Sequence, residues 1–182
     1  ALLLINSKYK LVRLEIQNTL SNHNQSQRYR GYCIQHLWTL YNKAPSENIT
    51  IVDDIRRLIH DPAPEVRRES LLFLTRVKDT TCEAIIDDWL TKPEKNDVRD
   101  ISIQCASELD LSDRIPIIRQ YLESSDDKTV LAAISALKKW GDKPSIPVLS
   151  NLLKSNNEIV AKSAEAAINE IEKTVEKATS VR

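Results

Sequence analysis

The chain has 182 residues, enough for one well-cored domain, and its 26 Lys/Arg against 26 Asp/Glu leave no net charge. With 41% hydrophobic and 29% charged residues the composition is that of an ordinary globular protein, not a disordered or membrane one, and a zero balance argues against the strongly basic footprint of a nucleic-acid binder. Only 2 Gly, 1 Phe and 5% aromatics leave little to build sheets and glycine turns with, whereas the abundant Leu, Ile, Ala, Glu, Lys and Arg favour helices.

In chain order, the opening Ala1-Leu2-Leu3-Leu4-Ile5 is far shorter than the ~20 apolar residues of a membrane span. It lacks the cationic start and cleavage site of a signal peptide. It reads as the end of a helix that begins elsewhere, so the chain is expected to be a fragment of a larger protein. Helices are then expected near 8–20, 27–42, 49–60, 64–77, 81–91, 96–109, 113–123, 127–140, 144–154 and 157–177. An all-α protein follows.

These helices repeat. Val66, Val98, Val130 and Val160 open similar segments at steps of 32, 32 and 30 residues. After each valine runs an apolar stripe of helical spacing: Ser70, Leu71 and Leu74; Ser102, Ile103 and Ala106; Ile134 and Leu137; Ala164 and Ile168. A degraded copy starts at Tyr29 with Cys33, Ile34 and Leu37, set back by a longer connection through Ala44-Pro45-Ser46.

The other half of each unit repeats as well. Ile115-Pro116 with Leu122 matches Ile146-Pro147 with Leu153, and Ile85-Ile86 with Leu90 and the stretch Val52 to Ile59 are their upstream counterparts. Proline suits a first turn, where its missing N–H would be unpaired anyway. Polar turns at 60–64, 92–97, 124–127 and 155–157 offer Asp, Asn and Ser as N-caps of the second helices, and Gly141 is placed to end one of them. Each unit is therefore helix, turn, helix, and one hairpin can bury its stripe only against its neighbours.

Paired helices with Pro116 and Pro147 in the first, and Asp61 with Val66-Arg67 or Asp97 with Val98-Arg99 opening the second, resemble the HEAT family, in particular its short bacterial-type repeats such as those of phycobilisome lyases. The resemblance is good over 49–177 and weak over 8–48. It implies a right-handed α-solenoid of about five hairpins in one domain, 1–182, with a concave surface lined by second helices. It also implies that the Asp and Arg bridge neighbouring repeats. The short period and the replacement of the arginine by Leu131 and Ala161 depart from the pattern.

No phosphate loop, nucleophile elbow or metal-binding helix motif is present. Cys33, Cys82 and Cys105 lie in apolar helical patterns and read as buried thiols of a reducing, cytoplasmic compartment, with neither a metal nor a cofactor implied. The charge is uneven: residues 1–60 carry a balance of +4, 61–123 of −5 and 124–182 of +1.

The distinctive stretch is Arg28-Tyr29-Arg30-Gly31-Tyr32 with His36, Trp38 and Tyr41, which could plug the end of the core or form an interface, since Tyr, Trp and Arg dominate interface hot spots. Arg67, Arg68 and Arg99 form a second set. Arg67 and Arg99 are expected to pair with Asp61, Asp97 or Asp100, and Arg30 and Arg68 to stay freer for a partner. The expected function is a non-enzymatic protein- or peptide-binding scaffold, monomeric, without nucleic acid, through Arg28, Tyr29, Arg30, Tyr32, Arg67, Arg68 and Arg99. The rival is a HEAT-like enzyme subunit of bilin-lyase or DNA-glycosylase kind.

Overall fold

Every regular element of the computed structural model is helical among the residues it describes, which are 11, 14–43 and 49–179. The opening apolar run and the 44–46 connection lie outside them. The chain packs as two compact units, Ala1–Cys82 and Glu83–Arg182.

The first unit holds α1 (residues 14–21), α2 (Gln27–Lys43), α3 (Ile49–Leu58) and α4 (Pro64–Arg76). α2 packs along α4, and α3 packs on both. Its core joins Leu37, Ile51, Ile55, Val66, Leu71 and Leu74, all fully buried. The two second helices come close at Gly31, where an added Cβ would stand 3.1 Å from Glu65 Cγ and 3.4 Å from Glu69 Cγ. Further along the same contact Phe73 of α4 meets Trp38 and Tyr41 of α2 edge-on, both at 5.6 Å between ring centres.

The second unit holds most of α5 (Cys82–Thr91), α6 (Arg99–Glu108), α7 (Ile115–Gln120), α8 (Asp127–Trp140), α9 (Ile146–Leu152) and α10 (Glu158–Thr179). Its second helices stack in order, α6 on α8 and α8 on α10, with α7 and α9 behind. Val98, Ile103, Ala106, Ile134, Leu137, Val160 and Ala164 are buried, as the repeat stripe requires. Ser70 and Ser102 are buried at matching stripe positions because each hydroxyl donates to the carbonyl four residues back, of Val66 at 2.7 Å and Val98 at 2.9 Å. In α10 the stripe differs from expectation. Ala167 and Ile171 are fully buried while Ile168 is only half-buried.

The second helices α4, α6 and α8 end alike. Lys78, Asp110 and Gly141, spaced 32 and 31 residues apart, all take positive φ, of 54°, 58° and 65°. The following residue then donates back five positions: Asp79 to Leu74, Leu111 to Ala106 and Asp142 to Leu137, at 2.9–3.0 Å. This is the left-handed turn that satisfies the orphan carbonyls of a helix end, and it turns the chain into the next hairpin. Glycine, expected at one of these sites, occupies only Gly141.

The N-termini are less uniform. Asp126 caps α8 by accepting from Thr129 N–H at 3.0 Å, and Asn157 caps α10 by accepting from Ile159 N–H at 2.9 Å. α4 and α6 have Ala63 and Val98 at the cap position instead, without a side-chain cap. For α4 the reason is Pro64 in the first turn, which leaves one donor fewer to satisfy. For α6 a 3₁₀ segment, Pro93–Val98, with Lys95 off helical geometry, takes up the turn and delays the helix to Arg99.

Candidate protein-binding surface

The arginines divide by what surrounds them. Arg30 is 2% exposed, and its Nη1 donates to Asp61 Oδ1 at 3.0 Å while Nη2 engages Asp61 Oδ2. Its Nε and Nη2 also donate to the carbonyl of Leu20 at 3.0 and 2.7 Å, closing the end of α1. The expectation that Arg30 stays free for a partner is therefore corrected. A guanidinium can be buried only when its nitrogens find acceptors, and here all three nitrogens donate to one carboxylate or one carbonyl. It ties α1, α2 and the turn before α4 together.

Arg67, in the first turns of α4, and Arg99, at the start of α6, take up matching repeat positions, and both donate to backbone oxygens of the preceding turn. Arg67 Nη1 donates to the carbonyls of Asp61 and Pro62 at 2.9 and 2.8 Å. Arg99 Nη2 donates to the Lys92 carbonyl at 2.6 Å and its Nη1 to Tyr121 Oη at 2.6 Å, with the guanidinium 4.9 Å from the tyrosine ring. Tyr121 in turn donates to the Leu90 carbonyl. Arg99 is buried and serves the stack. Arg68 is half-buried.

Other bridges escaped the sequence reading. Arg56 donates to Asp79 at 3.1 and 2.6 Å, and Arg119 to Asp142 at 2.9 and 2.7 Å. Each pair is 23 residues apart, and each carboxylate follows a left-handed helix end. Between them Leu111 stands at the equivalent site, and Arg114 binds Asp87 instead, at 2.9 and 2.8 Å. The recurrence of Asp79 and Asp142 after the helix ends was the available signal.

What remains open in the first unit is the far side of α2. Arg28 is exposed and lies 5.9 Å from the Tyr32 ring centre. Tyr29 and Tyr32 are 52% and 46% exposed. Tyr29 thus departs from the expected core stripe, while Cys33, Ile34 and Leu37 keep to it. The two tyrosines edge a groove of about 520 Å³ between α1 and α2, floored by Ile16, Cys33 and Leu40 with His36 beside them. Burial pushes the Cys33 thiol above its ordinary range, so the thiol stays neutral there. Trp38 and Tyr41 are turned away from this groove into the contact with Phe73, and Arg76 lies 5.6 Å from the Trp38 ring centre.

Among the described residues of the second unit, shallow grooves lie between second helices. One, of about 360 Å³, lies between α6 and α8 over Gln104, Glu108, Ala132 and Lys139. Another, of about 390 Å³, lies between α8 and α10 over Leu131, Ser135, Lys138, Ile159, Lys162 and Ala166.

The family model described as HEAT repeats matches residues 86–169. That stretch is a HEAT-repeat array. No curated protein matches the chain. Among solved structures, a designed armadillo repeat protein in complex with the peptide (KR)4 is similar in fold, with a TM-score of 0.58, 13% identity and coverage of 86% of this chain and 80% of that one. An engineered protein also reaches 0.58, at 16% identity and coverages of 89% and 79%. AlkD2 from Streptococcus mutans aligns at 0.43, with 19% identity and coverages of 95% and 87%, too loosely to argue from. At such identities the first two likenesses speak for the α-solenoid fold. Cys33, Cys82 and Cys105 are buried thiols that form no disulfide, and no described helix is long and apolar enough to cross a membrane.

Proposed function

We propose that the chain is a non-enzymatic interaction scaffold that offers exposed helical surface, above all the open side of α2, to a protein or peptide partner. The observation that carries this reading is the pair Tyr29 and Tyr32, half exposed with Arg28 beside an open, largely apolar groove. Amphipathic rings at low entropic cost next to an arginine are the chemistry of interface hot spots. The carboxylates Asp61, Asp79, Asp87 and Asp142 serve arginine bridges. The designed armadillo repeat protein, of similar fold, is in complex with a peptide, which is support of a general kind.

The test compares the wild-type chain with a Tyr29→Ser/Tyr32→Ser variant in capture from native lysate, read by mass spectrometry. A protein retained by the wild type and lost by a variant of unchanged circular dichroism and melting is the expected result. Equal retention by both, or capture of nucleic acid or a small molecule in place of protein, overturns the proposal. Arg30 is unsuited to this test, because replacing it strands a buried carboxylate.

A further inference from the structure

The α8/α10 groove differs from its surroundings in charge. The residues that line it include Lys138 and Lys162, one on each wall, and no carboxylate among those described. The unit around it leans the other way, since residues 83–182 hold 14 Lys/Arg against 18 Asp/Glu. On α8, Lys128, Lys138 and Lys139 are exposed, and its one acidic residue, Asp127, receives a hydrogen bond from Asn157 Nδ2 at 2.6 Å. Lys138 has no acidic partner among the described residues. Lys162 is paired with Glu158 at 2.6 Å, but both side chains are more than two-thirds exposed, and such a surface pair yields readily to a competitor.

The rest of the groove is apolar and small. Ser135, Ser163 and Ala166 keep its floor low enough for a peptide backbone to approach. Leu131 on one wall and Ile159 on the other, the latter 65% exposed, offer an aliphatic side chain a place out of water. We propose that this groove binds an acidic segment of a partner protein, with carboxylates held by Lys138 and Lys162 and an aliphatic side chain set between Leu131 and Ile159. A long polyanion such as nucleic acid would meet the acidic surroundings as well as the two lysines, whereas a short segment meets only the groove. The inference rests on the reading of the chain as an interaction module, applied to a surface in the other unit.

The experiment titrates the whole chain into a fluorescein-labelled peptide of alternating aspartate and leucine and follows anisotropy, with serine–leucine and lysine–leucine peptides as comparisons. The acidic peptide should bind best and weaken as salt is raised. Lys138→Glu/Lys162→Glu should weaken it by at least about tenfold and favour the lysine peptide. Ile159→Ser, which removes an exposed side chain, should weaken it with the salt dependence kept. Tyr29→Ser/Tyr32→Ser should leave it unchanged. Failure of the wild type to bind, or equal binding by the charge-reversed variant, overturns the inference while leaving the Tyr29/Tyr32 capture result to stand by itself. Loss of binding in the tyrosine variant also overturns it, by moving the peptide to the first unit.

Discussion

Arg30 and Asp61, 31 residues apart, form an ion pair in which both side chains are almost wholly shut off from water. The pair is a device of specificity: the guanidinium reads one carboxylate in the turn before α4 and one carbonyl at the end of α1. Arg30→Leu is expected to cost about 3–5 kcal/mol, because it leaves a buried charge without its partner. Denaturant unfolding measures this. Arg30→Leu/Asp61→Leu should recover a good part of the loss. No recovery would mean that the Leu20 carbonyl carries the cost.

The left-handed helix ends supply a second test. Lys78 holds φ of 54° with a side chain that glycine would not have. Lys78→Gly should therefore stabilise the chain by up to about 1 kcal/mol. Gly141→Ala should lose about as much, although open space surrounds its Cβ position apart from Thr174 at 3.8 Å. Thermal melts of the two variants should move in opposite directions.

The repeat register can be tested at Val98, which is fully buried at the start of the α6 stripe. Val98→Asp is expected to cost several kcal/mol through a buried, unpaired charge. Unchanged melting of a soluble Val98→Asp protein would refute the register.

Two carboxyls give opposite pH responses. Burial against α2, above all, raises the Glu69 carboxyl, and Glu65 adds to this against the Gln35 hydrogen bond and the charges of Arg76 and Arg68. A raised folded value favours folding at low pH, and that contribution is lost as pH rises through it. Glu69→Gln should thus stabilise the chain at neutral pH, with the gain fading below about pH 4, the unfolded range of glutamate.

Asp126 is held below the usual range, first by the Thr129 hydroxyl and also by Thr129 and Lys128 N–H groups and the Lys128 charge, against some burial. Its contribution is present above about pH 4, the unfolded range of aspartate, and is lost as pH falls through the folded value. Asp126→Ala should cost about 1 kcal/mol at neutral pH and little in strong acid. Urea midpoints across pH measure both variants.

Much of this protein is written locally. The helices, their first-turn prolines, the stripe from Val66 to Leu74 and its copies, the caps Asp126 and Asn157 and the helix end at Gly141 all follow from 3.6-residue periodicity and from the backbone preferences of Pro, Gly, Asp and Asn, which act within a few residues. The resemblance to HEAT repeats needed nothing more.

Only the tertiary structure decided which arginine goes inside. Arg28 and Arg30 are two residues apart with the same chemistry, yet one meets solvent and the other Asp61, because α-helical geometry turns them about 200° apart and the turn before α4 lies on only one side. The same reason exposes Tyr29, whose place in the stripe is apolar but which α1 leaves half exposed at the edge of the groove between the two helices. It also explains why Arg56 and Arg119 find Asp79 and Asp142, 23 residues on, where a period alone could not choose among many carboxylates. Partners between hairpins are set by how the hairpins stack, and stacking is a property of packed surfaces, not of any one segment.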